Sequence, residues 1–194
     1  MVTIIDYDTG NLRSVVNALE RLGADYTLTA DPAAVRNAER VLLPGVGEAS
    51  AAMGRLREKG LVETLKNLEC PVLGICLGMQ LLCARSEEGD TECLGIFPNR
   101  VRRFPPRIGL KVPHVGWNSI HRLHSPLYEG IEEGEYVYYV HSYAAETNAC
   151  TAATTDYGGP FSGSLCRDNY FGCQFHPEKS GAAGRRILAN FLSL

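Results

Sequence analysis

The first half of the chain alternates between short apolar runs and segments whose apolar residues recur every three or four positions. Val2–Asp6 is a β-branched run, typical of a buried strand. Asn11–Leu22 carries apolar residues at i, i+3, i+4 and i+7 and stops before Gly23, which predicts an amphipathic helix. The same signals predict strands at Tyr26–Thr29, Arg40–Leu43 and Val72–Ile75, a helical segment Ala49–Leu68 with a break near Gly60, and a helix Leu77–Ala84.

The second half has strand-like runs with proline and glycine punctuation and little helical periodicity. Phe104-Pro105-Pro106 and Val112-Pro113 break any helix between Ile96 and Ser142, so this region is expected to add partly antiparallel strands. Further strands are predicted at Tyr136–Ser142, Ala149–Thr155, Ser164–Asp168 and Tyr170–Phe175, before an amphipathic C-terminal helix with Gly184, Ile187, Leu188 and Phe191. The pattern predicts one α/β domain over residues 1–194, with a mostly parallel sheet, flanking helices and additional antiparallel strands.

Composition narrows the function classes without choosing one. The 194 residues are 45% apolar and 21% charged, and the net charge of −3 lacks the basic excess of a nucleic-acid binder. The longest stretch without charge, Cys70–Ala84, contains Pro71 and is shorter than the ~20 apolar residues of a membrane span. Because the first basic residue is Arg13 and Asp6 interrupts the apolar start, we expect no signal peptide and a cytoplasmic protein.

The seven cysteines show no C-x-x-C spacing, which disfavours zinc ribbons and thioredoxin-type redox motifs. We therefore expect reduced thiols, most of them packed as small hydrophobic side chains. His121 and His124 are spaced as a nominal metal pair, but no further ligands converge on them in the sequence. We predict no metal site.

The sharpest chemical motif is Gly74-Ile75-Cys76-Leu77-Gly78, where a predicted strand runs directly into a predicted helix. This is the cysteine form of a nucleophile elbow, whose turn is too tight for side chains two positions either side of the nucleophile. The backbone N–H of Leu77 is placed to bind an oxyanion. A core cysteine at a tight strand–helix turn explains the same five residues about equally well.

Phe175-His176-Pro177-Glu178 follows the last predicted strand, at the edge where open α/β sheets place their active sites. Glu178 is positioned to hydrogen-bond the His176 imidazole and set its tautomer. A surface turn with a solvated glutamate is the alternative for this motif alone. A cysteine elbow at the same sheet edge favours a Cys-His-Glu relay instead.

Leu43-Pro44-Gly45-Val46-Gly47 also directly follows a predicted strand. Backbone amides of Gly45 and Val46 are candidates to complete an oxyanion hole with Leu77. A phosphate loop is disfavoured because neither the lysine of a P-loop nor G-x-G-x-x-G is present. A plain tight turn remains open.

These motifs together resemble the class I, or triad, glutamine amidotransferases, on the strength of GICLGMQ at 74–80, FHPE at 175–178 and PGVG at 44–47. DYDTGNLRSV at 6–15, KVPHVGWN at 111–118, YVHSY at 139–143 and HPEKS at 176–180 are similar to the glutaminase subunits of imidazole glycerol phosphate synthase. The resemblance covers essentially the whole chain and implies a flavodoxin-like fold. Asp8 departs from it, since a glycine is expected there.

The resemblance implies hydrolysis of L-glutamine to glutamate and ammonia, with no cofactor. It assigns catalysis to Cys76, His176 and Glu178, and an oxyanion hole to Gly45, Val46 and Leu77. It further assigns glutamine binding to Gly47, Gln80, Ser142 and Tyr143. The resemblance also implies that the ammonia passes to a (β/α)8-barrel cyclase subunit in a heterodimer, which makes imidazole glycerol phosphate and an aminoimidazole carboxamide ribotide in histidine biosynthesis. The candidate interface residues are Asn11, Trp117, Tyr138 and Lys179.

Three competing functions remain at this point. The first is a glutaminase that serves another acceptor, such as the anthranilate, GMP or pyridoxal phosphate synthases. The second is a non-catalytic regulator, and the third is a cysteine peptidase of similar architecture. Met79 and the N-terminal motif disfavour the anthranilate type, in which histidine is more usual at that position. A regulator would have lost Cys76, His176 or Glu178, and all three are present. The two motifs around His176 and Pro44 favour side-chain amide chemistry over peptide cleavage.

Overall fold

The computed structural model describes residues 1–8, 12–106 and 109–194, so the predicted interface residue Asn11 lies outside the described residues. The helices are α1 (Arg13–Arg21), α2 (Pro32–Arg36), α3 (Ala49–Glu58), α4 (Leu61–Lys66), α5 (Leu77–Leu82) and α6 (Gly181–Leu192). The strands are β1 (Val2–Ile5), β2 (Tyr26–Thr29), β3 (Val41–Leu43), β4 (Val72–Ile75), β5 (Cys83–Ser86), β6 (Thr91–Glu92), β7 (Phe97–Arg103), β8 (His114–Ser119), β9 (Tyr136–His141), β10 (Tyr143–Ala145), β11 (Thr151–Asp156), β12 (Pro160–Arg167) and β13 (Tyr170–Cys173).

The main sheet of the described residues has the order β11-β12-β13-β4-β3-β1-β2. Strands β2, β1, β3, β4 and β13 pair in parallel, in the 2-1-3-4-5 order of flavodoxin-like folds, and β12 and β11 extend one edge antiparallel. The predicted mostly parallel sheet with additional antiparallel strands is confirmed.

Both faces of the inner parallel strands β1, β3, β4 and β13 are buried, which is why their sequences are continuous apolar runs, whereas the edge strand β2 is partly exposed. One core lies between the sheet and the helices α1 and α6, where Leu19, Ile187 and Phe191 are buried. The other core lies under α3, α4 and α5, and includes Leu56 and Leu81. None of the helices in the described residues is long and apolar enough to span a membrane.

In the described part of the chain, two smaller sheets lie outside the main sheet: β10-β7-β5-β6, and the antiparallel pair β8-β9. In the pair β8-β9, His114 lies opposite His141 and Trp117 opposite Tyr138. This pair carries large exposed apolar side chains, namely Val115, Trp117, Tyr136 and Val140.

The structure differs from the predicted elements mainly at boundaries. The predicted helix through Ala84 is wrong at its end: α5 stops at Leu82, and Cys83 begins a strand that pairs with Phe97. An apolar run of this length fits a buried helix or a buried strand equally well, so periodicity could not place the change. The predicted break at Gly60 is confirmed, because this residue adopts φ 65° between α3 and α4.

Candidate active site

Cys76 sits at the junction of β4 and α5, in a backbone conformation that side chains rarely adopt. Its φ is 54° and its ψ −110°, and such strain persists only where the surroundings impose it. The flanking glycines show how. A Cβ on Gly74 would lie 2.7 Å from Met79 N, and one on Gly78 would overlap the carbonyl oxygen of Leu43. The turn therefore has the sharp geometry of a nucleophile elbow.

His176 follows β13 and is held by its backbone and its ring. Its N–H donates to Tyr138 O over 2.9 Å, and Nδ1 lies 2.8 Å from Glu178 Oε1. The side chains of His176 and Glu178 are only 5% and 4% exposed, so the alternative of a solvated glutamate is wrong. Glu178 fixes the proton on Nδ1, which leaves the buried Nε2, without a hydrogen-bond partner among the described residues, to exchange a proton.

Burial disfavours a charged His176, yet the ring is held in an environment that favours the charge. The neighbouring Cys76 side chain and the Glu178 carboxylate outweigh burial and raise the pKa of His176 above its usual 6.5. An imidazolium beside a cysteine is the arrangement that activates a thiol for nucleophilic attack.

Cys76 and His176 meet in one cavity of about 290 Å³, large enough for a single amino acid. Of the predicted oxyanion residues, Val46 and Leu77 line the cavity, whereas Gly45 does not. Gly45 packs against the elbow instead, where a Cβ added to it would lie 2.8 Å from Gly78 N. All four predicted glutamine-binding residues reach the cavity. The full lining is Val46, Gly47, Cys76, Leu77, Gln80, Glu88, Pro113, Val140, His141, Ser142, Tyr143, His176 and Lys179.

Gln80 is buried rather than solvated, and its amide is oriented by two hydrogen bonds. Nε2 donates to Tyr143 O and to Gln174 Oε1, each over 2.9 Å. Gln174 in turn directs its own Nε2 at Cys76 Sγ, 3.8 Å away. Sequence reasoning missed Gln174; the available signal was one amide inside the apolar run YFGCQF at 170–175.

Glu88 is a second residue that sequence reasoning missed. It brings a carboxylate to the cavity and accepts from Ala49 N over 2.9 Å. Burial raises the pKa of Glu88, and the nearby negative charge of Glu48 raises it further. The hydrogen bond from Ala49 N–H opposes this but does not cancel it. No local motif marks this residue, because only the tertiary fold carries it to the cavity.

Three of the candidate interface residues, Trp117, Tyr138 and Lys179, lie in the described residues, and Trp117 pairs with Tyr138 across β8 and β9. Trp117 is 54% exposed, so the alternative of a core tryptophan is wrong, and its ring lies 5.9 Å from that of Tyr138. Lys179 is exposed at the cavity rim.

Asp8, the residue at which a glycine is expected from the resemblance, adopts a left-handed conformation that favours glycine. Its φ is 63°, a region that aspartate tolerates better than most residues. The carboxylate forms a 2.9 Å ion pair with Lys59, which lowers the pKa of Asp8.

Groups that would hold a metal are missing from the described parts of the chain: no three His, Cys, Asp or Glu side chains converge there. The seven cysteines are all free thiols.

A family model for class-I glutamine amidotransferases matches residues 3–194. The chain belongs to this family. Along its whole length this glutamine amidotransferase is similar to "Imidazole glycerol phosphate synthase subunit HisH" of Bacteroides fragilis (strain YCH46), with 53% identity over 100% of this chain and 99% of the relative. The protein of the same name from Xanthomonas axonopodis pv. citri (strain 306) is 50% identical over 100% of this chain and 97% of the relative.

Solved structures give the same fold for this glutamine amidotransferase at much lower identity. A crystal structure of a glutamine amidotransferase superposes with a TM-score of 0.76 at 17% identity, covering 100% of this chain and 98% of that one. The glutaminase domain of Trypanosoma brucei CTPS gives 0.70 at 16% identity, covering 99% and 93%. These two comparisons show the fold alone.

Proposed function

We propose that this chain hydrolyses the side-chain amide of L-glutamine to glutamate and ammonia, with Cys76 as nucleophile, His176 as general acid and base, and Glu178 as the residue that orients His176. The observation that carries the proposal is the meeting of a strained elbow cysteine and a Glu178-bound histidine in one cavity. Membership of the class-I glutamine amidotransferases supports it.

The reaction runs in two halves. Cys76 gives its thiol proton to His176 Nε2 and attacks the amide carbon as a thiolate, and the carbonyl electron pair moves onto oxygen, where the N–H of Leu77 and the backbone at Val46–Gly47 hold it. His176 Nε2 gives its proton to the nitrogen, the C–N bond breaks, and ammonia leaves a thioester. His176 then takes a proton from water, which attacks the thioester; the C–S bond breaks and glutamate is released.

The cavity lining supports a role for specific residues in holding the two ends of glutamine. Gly47, Gln80, Ser142 and Tyr143 bind the substrate through backbone and amide groups. Glu88 pairs with the α-ammonium group, since it brings a carboxylate to the cavity. Glu88→Gln is therefore expected to raise KM for glutamine more than it lowers kcat.

The acceptor of the ammonia is a (β/α)8-barrel cyclase subunit, in a cytoplasmic heterodimer that makes imidazole glycerol phosphate and an aminoimidazole carboxamide ribotide in histidine biosynthesis. The full-length similarity to HisH subunits supports this acceptor over the anthranilate, GMP and pyridoxal phosphate synthases. The exposed apolar side chains of β8 and β9, with Trp117, Tyr138 and Lys179, form the surface for that partner. Asn11 is assigned to the same surface from the sequence.

The test is glutamine hydrolysis and product synthesis by the reconstituted complex. Cys76→Ala and His176→Ala are each expected to lower glutaminase activity by about 10⁴-fold or more, and Glu178→Gln by less, because Glu178 acts through His176. Synthesis from added ammonium salt should survive in all three, since the chemistry on the nucleotide belongs to the partner. Cys70→Ala is the matched control and should retain full activity. Full glutaminase activity in Cys76→Ala would overturn the mechanism.

A further inference from the structure

Two buried histidines beside the cavity have no part in the reaction just described. His114 at the start of β8 and His141 at the end of β9 are a cross-strand pair, each less than a tenth exposed. Nδ1 of His114 lies 3.0 Å from Nε2 of His141. Burial lowers the pKa of His114 to about 4 and that of His141 to about 3, so both rings are neutral at physiological pH. Two neutral rings can share a hydrogen bond only if one tautomer donates and the other accepts.

The surrounding groups decide which ring donates. His141 Nδ1 lies 2.8 Å from Tyr143 O, an oxygen that only accepts, so the His141 proton is on Nδ1 and Nε2 is an acceptor. His114 must then donate from Nδ1, and its Nε2 accepts from Asn118 Nδ2 at 3.4 Å. Asn118 also donates to Asp156 O over 2.9 Å. Asn118, His114, His141 and the Tyr143 carbonyl thus form a one-directional chain, here called the imidazole relay.

The His114 ring has little freedom to rotate or to be replaced. It stacks between Tyr157, 3.8 Å away centre to centre, and Tyr139, 4.9 Å away. The edges of Phe104 and Phe161 close the remaining sides. The two stacked tyrosines fix the plane of the ring, and the hydrogen bond to His141 Nε2 holds Nδ1 on that side.

The relay ends on groups that form the glutamine cavity. Tyr143 O accepts from His141 and, over 2.9 Å, from Gln80 Nε2. The second hydrogen of Gln80 Nε2 is donated to Gln174. Both amide hydrogens are then in use, so only the amide oxygen of Gln80 is left to bind a substrate. A neutral His141 also avoids placing a second positive charge beside His176. Burial is the main cause of the low pKa of His141, and the neighbouring His114 and His176 lower it further.

We propose that His114 is a positioning residue for glutamine binding: by donating to His141 Nε2 it stabilises the His141 tautomer and ring position that hold the Tyr143 carbonyl, and with it the orientation of the Gln80 amide in the cavity. This inference rests on the proposed function, because it takes the cavity ligand to be glutamine. His114 contacts no reacting atom, so its loss weakens binding and leaves the bond-breaking steps in place.

The test compares two replacements of His114 in the full chain bound to its cyclase partner. His114→Phe keeps a ring of the same size between the tyrosines but removes the donor, and leaves His141 Nε2 buried without a partner. We expect KM for glutamine to rise about tenfold while kcat changes less than threefold. His114→Asn puts an amide N–H near the position of Nδ1 and should restore KM to within about threefold. His121→Phe, at an exposed histidine outside the relay, should change neither constant.

Glutamine binding to the Cys76→Ala protein, measured by titration calorimetry, separates the two proposals. Equal affinity with and without His114→Phe overturns the positioning role alone. No binding to Cys76→Ala with His114 intact overturns the proposed function and this inference with it. A loss of stability in His114→Phe with KM unchanged shows a packing role and also overturns the inference.

Nitrogen NMR of the unsubstituted chain gives a readout that needs no variant to fold. The relay requires His114 and His141 both to carry the proton on Nδ1 and not on Nε2. The opposite tautomer at either ring overturns the proposal.

Discussion

Two glycine-containing turns border Cys76, and their glycines are required for different reasons. In the elbow, residues 74–78, the space that a side chain would take is already filled by backbone atoms of Leu43 and Met79. In the loop 44–47, Gly47 has open space around it but adopts φ +101°, which disfavours any side chain. The elbow, together with Gly45 at the start of the loop, is thus limited by packing, and Gly47 is limited by backbone conformation.

This difference separates a fixed half of the oxyanion hole from an adjustable half. Leu77 moves only if the packed elbow moves. The loop is tied at its start, where Tyr7 donates to Pro44 O over 2.8 Å and Gly45 packs against Gly78. Beyond that point Val46 is 44% exposed. A change of conformation at Val46–Gly47 is therefore compatible with an unmoved nucleophile.

The largest effect is expected at the packed turn. Gly78→Ala puts a methyl group onto the Leu43 carbonyl, and neither backbone segment can yield without disrupting the sheet. We expect the free energy of unfolding to fall by more than about 3 kcal/mol, and glutaminase activity to be lost with it. Urea denaturation of the purified chain measures this. Gly54→Ala, in open space on α3, is the control and should be neutral or stabilising by about 0.5–1 kcal/mol. Similar stabilities for the two variants would contradict the claim that packing excludes a side chain at the elbow.

The next effect concerns the adjustable half. If the backbone amide at Val46–Gly47 points away from the cavity in the isolated chain, one oxyanion donor is missing. Its loss raises the activation free energy by about 3–4 kcal/mol, which slows the reaction by about 10²–10³-fold. We expect glutamine turnover to be slow for the chain alone and faster with the cyclase, and fastest with cyclase plus its nucleotide ligand. The partner produces this shift only by binding the active loop conformation more tightly. Equal turnover in all three samples would mean that the hole is already formed.

The smallest effect is expected at Gly47. Gly47→Ala meets no neighbouring atom but strains the backbone, so we expect a loss of about 1–3 kcal/mol in unfolding free energy without loss of the fold. Because the strain falls on the loop, the ratio of partner-stimulated to basal turnover should also change, whereas Gly54→Ala should leave that ratio alone. A Gly47→Ala chain as unstable as Gly78→Ala would show that the loop is packed like the elbow.

Features set by neighbours in sequence were predictable, and features set by distant contacts were not. The elbow and the His176–Glu178 pair each lie within five residues, so local spacing was enough to propose them. Gln80 could not be oriented from its own segment, because the two oxygens that fix its amide belong to Tyr143 and Gln174, 63 and 94 positions away. Glu88 follows β5, and the sequence pattern predicted the first part of that strand, up to Ala84, as the end of a helix. In the loop, spacing could not tell that Gly45 faces the elbow while Val46 faces the cavity.

The amide that contacts Cys76 has a consequence for self-recognition. Gln174 is itself a glutamine, so the protein holds the group that it is proposed to cleave within 3.8 Å of its own nucleophile. It presents nitrogen to the sulfur, while Gln80 holds its oxygen. The oxygen of the Gln174 amide therefore accepts from a side chain and not from the backbone amides assigned to the oxyanion hole. The same chemical group is thus a structural support at Gln174, where it is held by the hydrogen bond from Gln80, and the proposed target in a bound substrate.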